Sequence, residues 1–156
     1  MGFFDGIENA SATKSGNYLR EGKYWLQVVA LKMHQKDDGT QLFISELRVV
    51  RVLDDENGKG HKVGEDVAYV IKRTGNKNYL PNSKALFAAA LAMKEEDISG
   101  DICNKCLSEE QPLSGVVIEF VARRQEKKTK PGEFFTKVVP MRRLDLEELT
   151  SAGVAT

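Results

Sequence analysis

The chain has 156 residues, 41% apolar and 29% charged, which is the composition of a single globular domain. Its 23 basic and 23 acidic residues cancel, so binding of a polyanion would require a local basic surface rather than an overall positive charge. No apolar run approaches the roughly 18 residues that a membrane span needs, and the amino terminus lacks a secretory signal. We therefore expect a cytoplasmic protein that does not bind membranes.

The two ends of the chain differ in composition from the middle. Residues 1–20 are rich in glycine and small polar residues, which predicts a flexible N-terminal arm. Three apolar side chains of this arm are candidates for docking on the body or on another subunit: Phe3, Phe4 and Ile7. Residues 144–156 combine acidic side chains with a neutral end, which predicts a short acidic, partly disordered tail with one helical turn. The predicted folded domain spans residues 21–143.

Alternating apolar and polar residues predict three strands in the first half of this domain. The first strand changes the parity of its apolar residues after Val28, which predicts a β-bulge that bends the strand, as a small barrel requires. Turn-forming residues separate the strands, with Asp37-Asp38-Gly39 after the first and a polar, glycine-rich loop after the second. The predicted strands are Lys23–Met33, Gln41–Leu53 and Val63–Lys72.

A helix rich in alanine, leucine and methionine is predicted from Lys84 to Met93, with Ser83 or Asn82 as its N-cap. Residues 73–81 before it are predicted to form a loop, because Gly75, Asn76 and Asn78 disfavour regular structure. A second, weaker helix is predicted over residues 101–107. Two further strands close the domain.

The order of these elements is three strands, a helix and two strands, which is the order of an OB-type barrel, a fold that binds oligonucleotides. The sequence therefore predicts a mainly β protein with one or two helices. Its predicted architecture is a five-stranded OB-like barrel with the main helix between strands 3 and 4. The last two strands form a hairpin between Val116 and Met141, with its turn at Pro131-Gly132.

This last hairpin carries the most specific chemistry of the chain. Residues 123–130 hold five cations against the single acid Glu126, and Phe134-Phe135 begins the returning strand. Lysine and arginine neutralise phosphates, and aromatic faces stack on any base. The hairpin thus predicts a site for a flexible polyanion. A basic hairpin that only keeps the protein in solution would have the same composition.

Ten residues are the predicted nucleic-acid contacts. Tyr79 or Phe134 would stack on a base, and cations of the hairpin and of the third strand's end would contact phosphates. One ring of the Phe134-Phe135 pair and one of the tyrosines, Tyr69 or Tyr79, are expected to face outward. The predicted phosphate contacts are Arg123, Arg124, Lys127, Lys128 and Lys130 in the hairpin, and Lys72, Arg73 and Lys77 near the third strand.

No pattern in the sequence indicates catalysis. The GxSxG, Walker-type and HExxH signatures are missing, so we expect no enzyme activity, no cofactor and no metal. Cys103 and Cys106 form a lone CxxC pair without a second pair of ligands, and on a helix both would join its apolar face. We therefore expect two reduced, inert thiols. The neighbouring Asp54 and Asp55 stand in a predicted loop, where aspartate serves turn formation.

Several segments along residues 1–141 share the character of one family. They are Met1–Ala10, the approach to the first strand from Gly16 to Tyr24, the alanine-rich Ala85–Met93, Pro112–Gly115, and Phe134–Val138. In these segments the chain resembles the single-stranded-DNA-binding proteins of OB-fold type that bacteriophages encode. The resemblance implies sequence-tolerant binding of single-stranded DNA during phage DNA replication or recombination, in the host cytoplasm. Replication or recombination proteins and a second copy of the chain are further partners to be expected, and RNA is an alternative ligand.

Two other functions remain open from the sequence. A protein-interaction module would use the N-terminal arm or the hairpin to dock on, or inhibit, a host or phage protein. Its binding would depend little on salt, whereas binding of a polyanion weakens steeply as salt rises. A small metal-dependent nuclease built on Asp54 and Asp55 is the least favoured reading.

Overall fold

The structure, a computed structural model, describes residues 17–154, so the predicted arm up to residue 16 lies outside the described residues. One five-stranded antiparallel sheet is accompanied by three α-helices, which confirms the predicted mainly β class and the helix between strands 3 and 4. The strands are β1 (Gly22–Gln35), β2 (Gln41–Asp54), β3 (Asp66–Lys72), β4 (Val117–Glu126) and β5 (Phe134–Arg143). The helices are α1 (Tyr79–Leu91), α2 (Gly100–Cys106) and α3 (Leu146–Ser151), with a 3-10 turn at Glu95–Asp97.

The strands lie in the order β3-β2-β1-β4-β5, with β1 at the centre. Within residues 17–154, β3 and β5 form no hydrogen-bonded pair with each other, so the sheet is open. The closed barrel that the sequence predicts is therefore not seen. Strand β3 also begins later than predicted, because Gly64 has a φ of +94° and turns the chain before Asp66.

The predicted bulge in β1 is confirmed. The pairing of β1 with β2 shifts register between Val28 and Ala30, which leaves Val29 as the extra residue. Before the bulge Leu26 and Val28 are buried, and after it Leu31 is buried instead. The bulge thus bends β1 and keeps its apolar side chains on the core side of the sheet.

The main core lies between one face of the sheet and helix α1. The rings of Phe43 on β2 and Phe87 on α1 stack with centroids 5.5 Å apart and planes 10° apart. The ring of Tyr69 on β3 meets that of Phe120 on β4 edge to face, at 6.2 Å. The first contact joins the sheet to the helix and the second joins β3 to β4 across the core, and Arg143 of β5 adds a hydrogen bond to the carbonyl oxygen of Ala90 in α1.

Helix α1 begins at Tyr79, five residues before the predicted first residue Lys84. The predicted caps at Asn82 and Ser83 are wrong because Asn78 precedes the helix. Pro81 lies in the first turn, where the backbone N–H groups have no acceptor within the helix, so proline is tolerated there. Ser83 is consequently buried inside the helix. With 13 residues, α1 is the longest helix in residues 17–154, and none of the described helices has the length and apolarity of a membrane span.

The chain after β5 packs against the face of the sheet that is opposite the main core. Leu144 and Leu149 are buried there with Trp25 of β1 and Val117 of β4. Asp145 caps α3 through a hydrogen bond that its carboxylate accepts from the backbone N–H of Glu148, at 2.7 Å. The segment Leu144–Val154 thus belongs to the folded body, where a partly disordered tail was predicted.

The side chain of Trp25 is enclosed by charged residues as well as by the apolar residues next to α3. Its indole N–H donates to the carboxylate of Glu119 at 3.1 Å, and the guanidinium of Arg51 lies 4.8 Å from the ring centroid. Arg142 pairs with both Glu119 and Glu148, at 3.6 and 2.6 Å, and so connects β5 to α3. Only 7% of Trp25 remains exposed.

The packing of α3 predicts that its two leucines, Leu146 and Leu149, contribute differently to stability. Leu149→Ala should lower the free energy of unfolding by about 2–4 kcal/mol, because it empties a buried site against Trp25. Urea denaturation measures the loss. The control is Leu146→Ala in the same helix, where the side chain is 67% exposed and the expected change is below about 0.5 kcal/mol. Equal effects of the two substitutions would contradict the docking of α3.

Candidate nucleic-acid interface

A groove of about 400 Å³ opens between the unpaired edges of β3 and β5. One wall is formed by β3 and the other by β5, and the start of the β1–β2 turn and residues 18–19 complete it. The lining residues are Tyr18, Leu19, Lys36, Leu42, Ala68, Tyr69, Val70, Thr136 and Val138. The groove is therefore built by segments that are far apart in the sequence.

The residues before β1 occupy part of the edge of β3. The backbone N–H of Leu19 donates to the carbonyl of Ala68 at 3.0 Å, and the N–H of Ala68 donates to the carbonyl of Asn17 at 3.1 Å. Tyr18 thereby forms a parallel bridge with Ala68. Its ring is 54% exposed at the groove, whereas Leu19 is buried. This segment takes backbone groups of β3 that pairing with β5 would need.

A buried histidine fastens this segment to the body. His61 is 1% exposed, and its Nε2 accepts a hydrogen bond from the backbone N–H of Arg20 at 2.9 Å. Nδ1 therefore carries the proton and donates to the carboxylate of Glu65, 2.7 Å away. Burial lowers the pKa of His61, and the charge of Arg20 adds to the effect although Glu65 opposes it. The ring is thus held neutral, as the bond from Arg20 requires.

The turn of the β4–β5 hairpin uses both of its acids. The carboxylate of Glu126 accepts a hydrogen bond from the backbone N–H of Gly132 at 3.2 Å, and Glu133 pairs with Lys127 at 3.4 Å. Residues 123–137 contain six cations and these two acids. Because the acids are engaged within the turn, the hairpin presents a surplus of positive charge to solvent.

The groove side of this hairpin carries a stacked cation and ring. Arg124 and Phe134 lie on the same face as Thr136 and Val138, which line the groove. The guanidinium of Arg124 is 4.1 Å from the centroid of Phe134, whose side chain is 46% exposed. The hairpin thus continues the groove with a pair that could meet both a phosphate and a base.

The other predicted hairpin contacts divide between the two faces and the turn. Arg123 pairs with Lys137 across the strands, and their alternation with Arg124 turns them to the opposite face. Phe135, 42% exposed, shares that opposite face. Lys127, Lys128 and Lys130 are exposed in or beside the turn. The structure therefore does not bring Arg123 and Arg124 to one surface, as a single phosphate track would need.

Of the four predicted contacts near the end of β3, one lies at the rim of the groove and three lie outside its lining. Lys72 is opposite Leu42, a groove residue, and so lies at the rim. Arg73 donates to the side-chain oxygen of Gln41 at 2.9 Å, and its guanidinium lies 5.8 Å from the ring centroid of Tyr79. Arg73, Tyr79 and the exposed Lys77 lie outside the groove lining.

Two expectations about aromatic rings change in the structure. Tyr69 is 9% exposed and packs in the core, where burial raises the pKa of its hydroxyl to about 12, so the outward orientation considered for it is wrong. Tyr79 is only half-buried and rests against the core. Both Phe134 and Phe135 are exposed, where only one was expected.

None of the nine described residues that line the groove is among the ten predicted contacts, and two of them, Lys36 and Tyr18, carry side chains suited to a phosphate or a base. Lys36 follows β1 directly before the Asp37-Asp38-Gly39 turn, and its position beside a loop of the predicted barrel could have drawn attention to it. Tyr18 fell within the predicted arm, and nothing in the local pattern shows that it lies against β3. Its placement depends on the long-range bonds with Ala68.

The two cysteines pack in the interior, and Asp54 takes part in a turn. Cys106 is buried and Cys103 half-buried, and burial raises the pKa of both thiols, which confirms their predicted packing in the interior. Asp54 accepts a hydrogen bond from the backbone N–H of Glu56 at 2.9 Å, as turn formation requires. Across residues 17–154, no three metal-ligating side chains come together.

Comparison with known proteins does not assign a family. No protein-family model matches the chain, and no curated protein matches its sequence.

The anchor at His61 predicts a dependence of stability on acid. The folded-state pKa is lowered, so as pH falls below about 6.5 the unfolded chain binds the proton first and the free energy of unfolding decreases. The decrease ends once pH is below the folded-state pKa. Urea denaturation at several values between about pH 5 and about pH 8 measures this slope.

The second histidine of the chain supplies the control. His34 lies exposed near the end of β1, so His34→Gln should keep the slope. His61→Gln should reduce it, whatever its effect on stability at neutral pH. If His61→Gln retained the full slope, the anchor would not be its source.

Proposed function

We propose that the protein binds single-stranded DNA, with little sequence preference and without catalysis. The ligand lies in the groove between β3 and β5 and continues over Arg124 and Phe134. As the sequence resemblance implies, this binding serves phage DNA replication or recombination in the host cytoplasm.

The stacked pair on the hairpin is the observation that carries the proposal. Phe134 keeps 46% of its surface exposed although Arg124 lies only 4.1 Å from its centroid. An exposed ring offers a face to any base, and the guanidinium beside it can neutralise the adjoining phosphate. A pair that served only to stabilise the hairpin would contribute about 0.5–1 kcal/mol and would need no groove beside it.

The strand arrangement supports an OB-like interpretation of the sheet. Because every pair of neighbouring strands is antiparallel, β3 and β5 run in the same direction. Helix α1 lies between β3 and β4 in the chain. An OB barrel is often partly open and binds oligonucleotides near its β1–β2 and β4–β5 loops. Here Lys36, at the β1–β2 turn, and Thr136, on β5, border the same groove.

The chemistry of the site favours single strands over duplexes. In a duplex the faces of the bases are stacked on one another, so an exposed ring such as Phe134 cannot reach them without unstacking. The cations Lys36, Lys72 and Arg124 border or adjoin the groove and can follow a flexible backbone. RNA meets the same requirements and remains an alternative ligand.

A protein-interaction module is the second candidate function. The unpaired edge of β5, which borders the groove, has no strand partner within the described chain, and Val139 and Met141 of β5 are 37% and 52% exposed. Such an edge can accept a strand from another protein. Apolar and backbone contacts of that kind would depend little on salt.

Titration of labelled oligo-dT tests the first proposal. Phe134→Ala should weaken binding about tenfold, the effect of losing one stacked base. Arg124→Ala should make the log–log salt slope shallower by about 0.7, the contribution of one phosphate contact on a single strand. Fluorescence anisotropy at several salt concentrations measures both.

Lys105→Ala is the matched control for charge, because Lys105 is an exposed cation on α2, away from the hairpin. It should change neither the affinity nor the salt slope appreciably. A wild-type protein without measurable affinity for oligo-dT at low salt would refute single-stranded DNA binding, and salt-independent binding to a protein would favour the second candidate.

A further inference from the structure

We propose that the outer face of the β4–β5 hairpin is a second contact surface for the same nucleic-acid strand. This outer-face site consists of Arg123, Phe135 and Lys137. The strand would leave the groove face at Phe134, pass around the free edge of β5 and contact the outer-face site. The inference rests on the proposed function and extends it.

The two cations of the outer-face site form an unfavourable pair. Arg123 and Lys137 are directly opposite each other on neighbouring antiparallel strands, which brings their Cβ atoms to about 4.5–5.5 Å. Like charges in this position destabilise a sheet. No ion pair in residues 17–154 connects either of them to an acidic side chain. An anion placed between the two cations would be attracted by both and would offset their mutual repulsion.

The neighbouring ring supplies the second element of a nucleotide site. Phe135 lies on the same face as Lys137 and is 42% exposed, and its cross-strand partner Gln125 is neutral. The outer-face site therefore repeats the combination found on the groove side, an exposed phenylalanine next to a cation. Phosphate between the cations and a base on the ring is the ligand chemistry that fits it.

The path between the two faces is short and open. Phe134 and Phe135 are consecutive residues, so their rings project from opposite faces at nearly the same height along β5. The sheet ends at β5, and no other described strand is hydrogen-bonded to the free edge of β5. A flexible single strand can therefore cross this edge, whereas a stiff duplex would meet only one face.

The test uses Lys137→Glu and a series of labelled dT oligomers of increasing length. The substitution places an acid opposite Arg123, so the midpoint of urea denaturation should rise. Binding of short oligomers that fill only the groove should be unchanged, and binding of long oligomers should weaken about tenfold. A gain in stability together with a loss of affinity separates a binding site from general damage to the fold.

Lys105→Glu on α2 makes the same change in net charge and should affect neither stability of the hairpin nor length dependence. Phe135→Ala should reproduce the loss on long oligomers alone. Arg124→Ala, on the groove face, should weaken binding of short and long oligomers alike. These three variants make the two surfaces separately measurable.

Wild-type affinity of Lys137→Glu at every oligomer length would overturn the outer-face site, and a loss with Arg124→Ala in that assay would leave the groove proposal standing. Equal weakening at every length by Lys137→Glu would also overturn the crossing path. A lowered denaturation midpoint would overturn the argument from charge repulsion. If the wild-type protein bound no dT oligomer, the proposed function itself would fail.

Discussion

The central position of β1 is the constraint on which the rest of the structure depends. This strand is hydrogen-bonded to β2 along most of its length and to β4 along its first part, so both halves of the sheet meet on it. Strand β1 can pair with both β2 and β4 because the bulge at Val29 bends the strand and reverses the parity of its buried residues. Without that reversal, Leu31 would turn toward solvent and the far end of the first hairpin, where Lys36 borders the groove, would lose its support.

The local sequence pattern predicted the strands and helices of this fold better than the tertiary contacts between them. Alternation located the strands and the bulge after Val28, because each depends on neighbouring residues. Helix α1 begins inside the loop predicted over residues 73–81, because a proline in the first turn, here Pro81, removes no internal hydrogen bond. The orientation of Tyr69 was missed because alternation separates two faces without saying which one the helix covers. The groove could not be predicted, since bonds between residues as distant as Tyr18 and Ala68 create it.

In the candidate site, too, composition predicted which residues are present but not on which face of the sheet each of them lies. The sequence indicated a cationic hairpin, and the structure confirms its strands and its exposure. A run of basic residues treated as one unit, however, conceals the alternation of a strand, which sends Arg123 and Arg124 to opposite faces. The same alternation separates Phe134 from Phe135. The hairpin is therefore a two-sided element, in which each face has its own phenylalanine ring and at least one cation of its own.

The position of Trp25 has a practical consequence for spectroscopy. The chain contains one tryptophan, and it is enclosed by α3, Arg51 and Glu119 on the side of the sheet away from the main core. Its emission should therefore report whether the C-terminal helix is seated, and it should respond little when a ligand enters the groove between β3 and β5. Intrinsic fluorescence can thus follow the C-terminal helix while a dye on the oligonucleotide follows binding, so a single sample can show whether the two events are coupled.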